Sequence, residues 1–200
     1  VETKAIQRAF LRGAKYADDV VAVLYSANGT ADTGEPALQF QFITAAGLEG
    51  FLFEHGRGKG TAILQQFVPS LHAAHNDCIE AVWSPTVCHV SRRQNIHEIA
   101  DDRYDVNDRC VTFEAKTHLS RLVQCTSRLR AQVKGQCENL VRHFHGCDTR
   151  HVVTRLVCRF KMSCDSELTL LHCVSARVMR AAAPSAGPTP ASLQAGSRAA

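Results

Sequence analysis

Four residues within a short stretch of the chain have side chains of the kinds that bind zinc: His143, His145, Cys147 and His151. Imidazole nitrogens and thiolates are ligands that zinc prefers. Zinc sites also have a characteristic paired spacing, which is missing here. The end of a helix explains the segment better, because Gly146 suits a C-cap and histidines suit the negative end of the helix dipole. We therefore expect no metal and no cofactor.

Motifs for enzymatic catalysis are absent from the sequence. The chain contains ten His and nine Cys, but a Cys–His nucleophile also needs a third group that orients the base. GxSxG, HExxH and GxGxxG do not occur. The segment HGRGKGT at 55–61 is not a Walker loop, because Gly60 follows Lys59 where Ser or Thr is required. It is predicted to be a glycine-rich hairpin loop, and a Cys/His hydrolase remains only the third functional hypothesis.

Composition places the chain in a reducing compartment. The nine cysteines are odd in number and form no CxxC pair, which is atypical of secreted disulfide frameworks. The net charge of +4 is mild. No run approaches the roughly 20 apolar residues of a membrane helix. We expect a cytoplasmic protein that does not span a membrane.

Arginine and aspartate alternate between residues 92 and 109. A metal site needs uncompensated oxygen ligands, whereas interleaved opposite charges satisfy one another through Arg–carboxylate contacts. The segment is therefore predicted to be a strand-to-strand connection held by structural ion pairs. The residues expected to pair are Arg92, Arg93, Asp101, Asp102, Arg103, Asp105 and Arg109.

Positive charge is concentrated between residues 121 and 161, which hold nine Arg or Lys and two acidic residues. Such a surface favours an acidic protein partner, with nucleic acid as the alternative. Aromatic residues that would stack on bases are missing from it. The candidate partner-binding residues are Arg128, Arg130, Lys134, Arg155, Arg159 and Lys161.

Hydrophobic periodicity predicts the elements that position these residues. Helical spacing predicts helices over 3–25 and 127–145. Alternation and short apolar runs predict strands over 37–44, 51–55, 61–68, 78–83, 86–93 and 109–114. Residues 151–178 read as an antiparallel hairpin with one buried face, and with Arg155, Arg159 and Lys161 on the other, solvated face.

This order of elements predicts an α+β fold with a mainly antiparallel sheet. We expect one domain over residues 1–179. Residues 180–200, rich in Ala, Pro and Ser, are predicted to be a disordered tail or linker.

The central segment also carries a resemblance. It contains Trp83-Ser84-Pro85, then Val90 to Asn95, then Asp101-x-Arg103, then Arg-Cys-Val-Thr-Phe-Glu at 109–114. With Cys137-Glu138 and the hairpin that follow, this pattern resembles a module of large uncharacterised proteins of flagellated protists and algae, over roughly residues 70–178. The resemblance implies a cytoskeletal or flagellar accessory module, located in a cilium or flagellum. Together these features predict a non-enzymatic protein-interaction or structural module.

Overall fold

The computed structural model of the chain describes residues 3–30, 36–55, 62–72, 74–114 and 117–181. Two antiparallel sheets and four α-helices form its framework, which confirms the α+β class. The predicted glycine-rich loop lies at residues 56–61 outside the described residues, and so does the predicted tail from residue 182 onward. The elements are α1 Thr3–Phe10, β1 Val20–Thr30, β2 Pro36–Thr44, α2 Ala45–His55, β3 Ala62–Gln66, β4 Asp77–Trp83, β5 Cys88–Asn95, α3 Val106–Cys110, a 3-10 turn at Thr117–Leu119, β6 Ser120–Val123, α4 Ser127–Cys147, β7 His151–Met162 and β8 Leu168–Arg180.

The larger sheet has five strands in the order β6-β5-β4-β7-β8, and α4 covers one of its faces. Helix α4 begins where the Thr126 side chain accepts a hydrogen bond from the Leu129 amide at 3.2 Å, as an N-cap does. Leu129, Val133 and Cys137 recur every four residues and are buried against the sheet. The helix predicted over 127–145 is therefore confirmed, with its end at Cys147.

The smaller sheet has three strands in the order β2-β1-β3. Helix α2 packs on it through Leu48, which is fully buried beside Val21 and Ile43. The chain reaches β1 from α1 through Gly13, whose φ of +97° is a conformation that L-residues with side chains rarely adopt. This turn separates α1 from β1.

Three predicted elements are wrong. The helix predicted over 3–25 ends at Phe10, because the Val-rich run from Val20 pairs as a strand on both its edges. The strand predicted over 51–55 is the second half of α2, whose first turn is closed by the Thr44 hydroxyl accepting from the Gly47 amide at 3.3 Å. The strand predicted over 109–114 is partly α3, since the Asp105 side chain caps that short helix.

The hairpin of β7 and β8 is confirmed, but its predicted solvated face is wrong for β7. Leu156, Val157 and Cys158 are consecutive and all buried, so both faces of the strand are covered. Helix α4 lies on one face. On the other side the smaller sheet meets the hairpin, where the Gln65 side chain donates to the Leu171 carbonyl at 2.9 Å.

We predict that Phe160→Ala lowers the free energy of unfolding by about 3–5 kcal/mol, the usual cost of deleting a buried aromatic side chain. Phe160 is 1% exposed at the centre of the α4-facing core. Leu122→Ala is the control, because Leu122 is 69% exposed on β6. Urea unfolding followed by circular dichroism measures both, and equal losses would contradict the packing described.

Candidate functional site

The six candidate partner-binding residues fall into two groups in the structure. Arg128, Arg130 and Lys134 are exposed on α4, and Arg155 is exposed on β7. Arg159 and Lys161 instead lie between the two sheets, and Lys161 is only 3% exposed. Their predicted position on a solvated face is wrong, because the smaller sheet covers that part of β7.

Arg159 is held in a charged and aromatic environment. Its side chain, 11% exposed, forms an ion pair with Glu80 of the neighbouring strand β4. Its guanidinium lies over the Phe113 ring, 4.2 Å from the ring centroid. An ion pair removed from water in this way stabilises the fold only while both partners are present. Arg159 is therefore a structural residue that holds the residues after α3 against the sheet.

Lys161 occupies the deepest position between the sheets. Its Nζ donates to Asn76 Oδ1 at 2.6 Å and lies 4.0 Å from the centroid of the Phe67 ring. Burial lowers the pKa of its ammonium group to about 8. A lysine tuned in this way is a common catalytic base, but the adjoining cavity measures only about 30 Å³. That space accommodates about one water molecule, so no substrate reaches Lys161 in this conformation.

The Arg–Asp segment contains one of the expected internal ion pairs. Asp101 binds Arg103, and hydrogen bonding from that guanidinium lowers the pKa of the Asp101 carboxyl to about 2. The expected internal pairing is wrong for the five other residues. Arg92 pairs with Asp77 on β4, Arg93 donates to the Ser120 hydroxyl at 2.8 Å, and Asp105 caps α3.

Arg109 is the fourth of these exceptions. It is 6% exposed, yet it forms no ion pair with any described residue. Asp102 likewise has no ion pair within the described part of the chain. The segment thus pins β4, β5 and α3 together through contacts that reach outside it.

The four candidate metal ligands do not converge. Cys147 Sγ lies 3.9 Å from His143 Nε2 on the exposed end of α4. His151 Nδ1 instead lies 2.8 Å from Asp148 Oδ2, and this contact holds the pKa of the Asp148 carboxyl near 2. Among the described residues no group of three or more His, Cys, Asp or Glu is arranged to hold a metal ion. The local contacts are those of a helix end and the turn that follows it.

All nine cysteines are free thiols. Burial raises the pKa of Cys78 and of Cys110 to about 12. The thiolate is the nucleophilic form of cysteine, so these two side chains are unreactive at neutral pH. Burial has the same effect on the pKa of Cys137 and of Cys158. The structure therefore offers no support for a Cys/His hydrolase at these four positions.

Strand β8 forms an exposed edge that the sequence did not identify. It has 13 residues, and among the described strands it pairs with β7 alone. Alternation of residue types indicates which side chains share a face, but it does not indicate which strand of a sheet ends up at the edge. We use the name β8 edge surface for the exposed large apolar and charged side chains of this strand, which are Leu170, Val174, Arg177, Val178, Met179 and Arg180.

We predict that Arg159→Glu lowers the free energy of unfolding by about 3–5 kcal/mol, because it leaves Glu80 beside a second carboxylate in a desolvated site. Arg155→Glu on the same strand is the matched control, since Arg155 is exposed. It should change stability by about 0.5 kcal/mol or less. Chemical denaturation compares the two variants, and similar effects would contradict the position assigned to Arg159.

A second prediction concerns the pH dependence of Lys161→Met. The folded-state pKa of Lys161 is about 8, below its ordinary value of 10.5. Between these values the native lysine has lost its proton while the unfolded one retains it, so stability contributed by Lys161 rises with pH. The unfolding free energy of the wild type, measured relative to that of Lys161→Met, should therefore increase between about pH 7 and about pH 10. Urea titrations at each pH measure the difference, and a constant difference would contradict the shift.

Comparison with known protein families, with curated proteins and with solved structures found no match. None of the described helices has the length and apolar character needed to cross a membrane. Among the described features of the chain, the β8 edge surface is the one best suited to binding an extended segment of another protein.

Proposed function

We propose that this protein is a non-enzymatic interaction module that binds an extended, acidic segment of a partner protein along the β8 edge surface. The observation that carries the proposal is a long edge strand with exposed apolar side chains and no acidic residue. The bound segment would add a sixth strand to the larger sheet, which has five.

The backbone of an edge strand is a template for strand addition, because its outward N–H and C=O groups lack partners in the sheet. Proteins usually protect such edges with short strands, prolines or inward-pointing charges. The opposite edge of the sheet is protected because its strand is short, since β6 has only four residues. Strand β8 is three times longer and contains no proline and no lysine. Recognition of peptides by strand addition uses edges of this kind.

The side chains of β8 supply apolar contact area. Leu170, Val174 and Val178 are 40–42% exposed, and Met179 is 56% exposed. Scattered apolar residues on a surface need no explanation, but a row along one unprotected strand marks an interaction site. A partner strand would remove part of this area from water, at a gain of roughly 25 cal/mol per Å².

Charge decides between a second copy of this chain and another protein. Strand β8 contains Arg177 and Arg180, and Arg155 lies opposite Arg177 in the register of the hairpin. Two β8 strands whose C-terminal halves pair would bring these arginines together, and like charges on neighbouring strands are destabilising. An acidic segment would neutralise them. The partner is therefore a protein segment of opposite charge.

The nucleic-acid alternative is weaker than the sequence indicated. Arg159 and Lys161 are not available to contact a nucleic acid, because they lie between the sheets. The exposed cations that remain on α4 have no exposed aromatic residue beside them on that helix, as far as the chain is described. Stacking on aromatic side chains contributes much of the affinity for single strands.

The resemblance to modules of flagellated protists and algae adds a location to the proposal. Combined with the positive charge of the β8 edge surface, it suggests a flagellar or cytoskeletal partner protein with acidic extended segments. Localisation of a tagged copy in a flagellated cell checks this part separately, because a purely nuclear signal would contradict it and leave the binding surface unaffected.

We predict that acidic, β-branched peptides selected from a displayed library bind the full chain, and that Arg177→Glu with Arg180→Glu weakens them at least about tenfold, since each lost charge pair costs about 1 kcal/mol. Fluorescence anisotropy measures affinity, and amide hydrogen exchange of β8 should slow on binding. Arg128→Glu with Arg130→Glu is the matched control on α4, and it should leave affinity within about twofold.

Two results would contradict the proposal. One is loss of peptide binding only in the α4 variant. The other is tight, salt-sensitive binding of an RNA oligonucleotide together with the absence of any selected peptide, which would favour the nucleic-acid alternative. A Val174→Ser variant tests the apolar contribution, because it removes apolar contact area without adding charge and should weaken binding without changing the unfolding midpoint.

A further inference from the structure

A cavity of about 610 Å³ is lined by none of the residues of the β8 edge surface. The α1–β1 connection, the end of β3 and the segment from Ile99 to Arg109 form its walls. Its volume is within the range of about 300–1,000 Å³ that is typical of small-molecule sites. The apolar part of the lining includes Phe10, Phe67 and Ile99, and Arg109 contributes a positive charge.

Arg109 is the unusual member of this lining. Its residue is 6% exposed, and its Nε is buried without any hydrogen-bond partner. It forms no ion pair with a described residue. Burying this N–H group without a partner is unfavourable, because the hydrogen bond that it makes with water in the unfolded chain is not replaced. A site that retains such a group beside a cavity is prepared for an anion.

We propose that this cavity binds a small monocarboxylate with an apolar body, whose carboxylate is received by Arg109. The planar guanidinium matches a carboxylate with two parallel N–H···O bonds. The aromatic and aliphatic walls match an apolar body, which gains affinity from its removal from water.

The rim of the cavity narrows the chemistry of the ligand. Apart from Arg109, the charged lining residues are Arg12, Asp18, Asp19 and Asp102, so they carry two more negative than positive charges. Asp19 is engaged locally, where its Oδ2 accepts from the Lys15 amide at 2.7 Å and from the Tyr16 amide at 3.0 Å. A second negative charge at the far end of the ligand would face this rim. We therefore expect dicarboxylates and inorganic phosphate to bind more weakly than monocarboxylates.

Isothermal titration of the full chain with hexanoate, its ω-amino derivative, adipate and inorganic phosphate tests the proposal. Hexanoate and its ω-amino derivative should saturate the wild type, and adipate and phosphate should bind at least about threefold more weakly. Arg109→Met should weaken hexanoate at least about tenfold, because it removes a charge-assisted contact. Its thermal midpoint should equal or exceed that of the wild type, because an unpaired buried charge has been replaced by an apolar side chain of similar length.

Two other variants keep the test decisive. Ala100→Trp narrows the cavity from an exposed lining position and leaves Arg109 in place, so it should also abolish hexanoate binding if Arg109→Met fails to fold. Arg103→Met is the control, since Arg103 lies outside the cavity lining, pairs with Asp101 and is exposed. It should bind hexanoate as the wild type does.

Three outcomes would overturn the proposal. The first is a wild type that no monocarboxylate saturates below about 10 mM, an affinity too weak for a built site. The second is equal hexanoate affinity in Arg109→Met or in Ala100→Trp. The third is tighter binding of adipate or phosphate than of hexanoate, which would show that the rim does not select against a second negative charge.

Discussion

Strand β7 is covered on both faces, by α4 on one side and by the smaller sheet on the other. The chemistry of each side chain on this strand follows from that position. Phe160 and Cys158 contribute to an apolar core. Arg159 and Lys161 lie between the sheets, where a charged side chain needs an oppositely charged partner or has a shifted pKa. Glu80 is the partner of Arg159, whereas Lys161 has a lowered pKa.

The central position of β7 also determines what the protein exposes. In the order β6-β5-β4-β7-β8, the second strand of the hairpin has no described neighbour on its far side. The first half of β8 contributes Leu168 to the core and Leu171 to the contact with the smaller sheet, whereas every residue from Cys173 to Arg180 is exposed. Packing within the fold therefore does not explain the apolar residues of that second half. The proposed binding of a partner segment would account for an edge strand of 13 residues whose C-terminal half is exposed.

The sequence predicted the parts of the fold that depend on local pattern. The stripe of α4 and the alternation of β7 were sufficient to identify a helix and a hairpin, because those patterns extend over several turns or residue pairs. The failures have a common physical cause. Whether Lys161 faces water or a second sheet depends on contacts with Phe67 and Asn76, which are remote in sequence. Tertiary structure likewise determines that Arg92 pairs with Asp77 and that Arg109 Nε has no hydrogen-bond partner.

Arg109 shows why a segment rich in opposite charges need not neutralise itself. The Asp101 carboxylate pairs with Arg103, and the Asp105 carboxylate caps α3. Neither carboxylate is therefore paired with Arg109, whose Nε–H is buried without a partner. The free-energy cost of that unpaired group must be offset by the rest of the fold, and it can be recovered when an anion binds. A cavity beside the uncompensated charge is what makes that recovery structurally available.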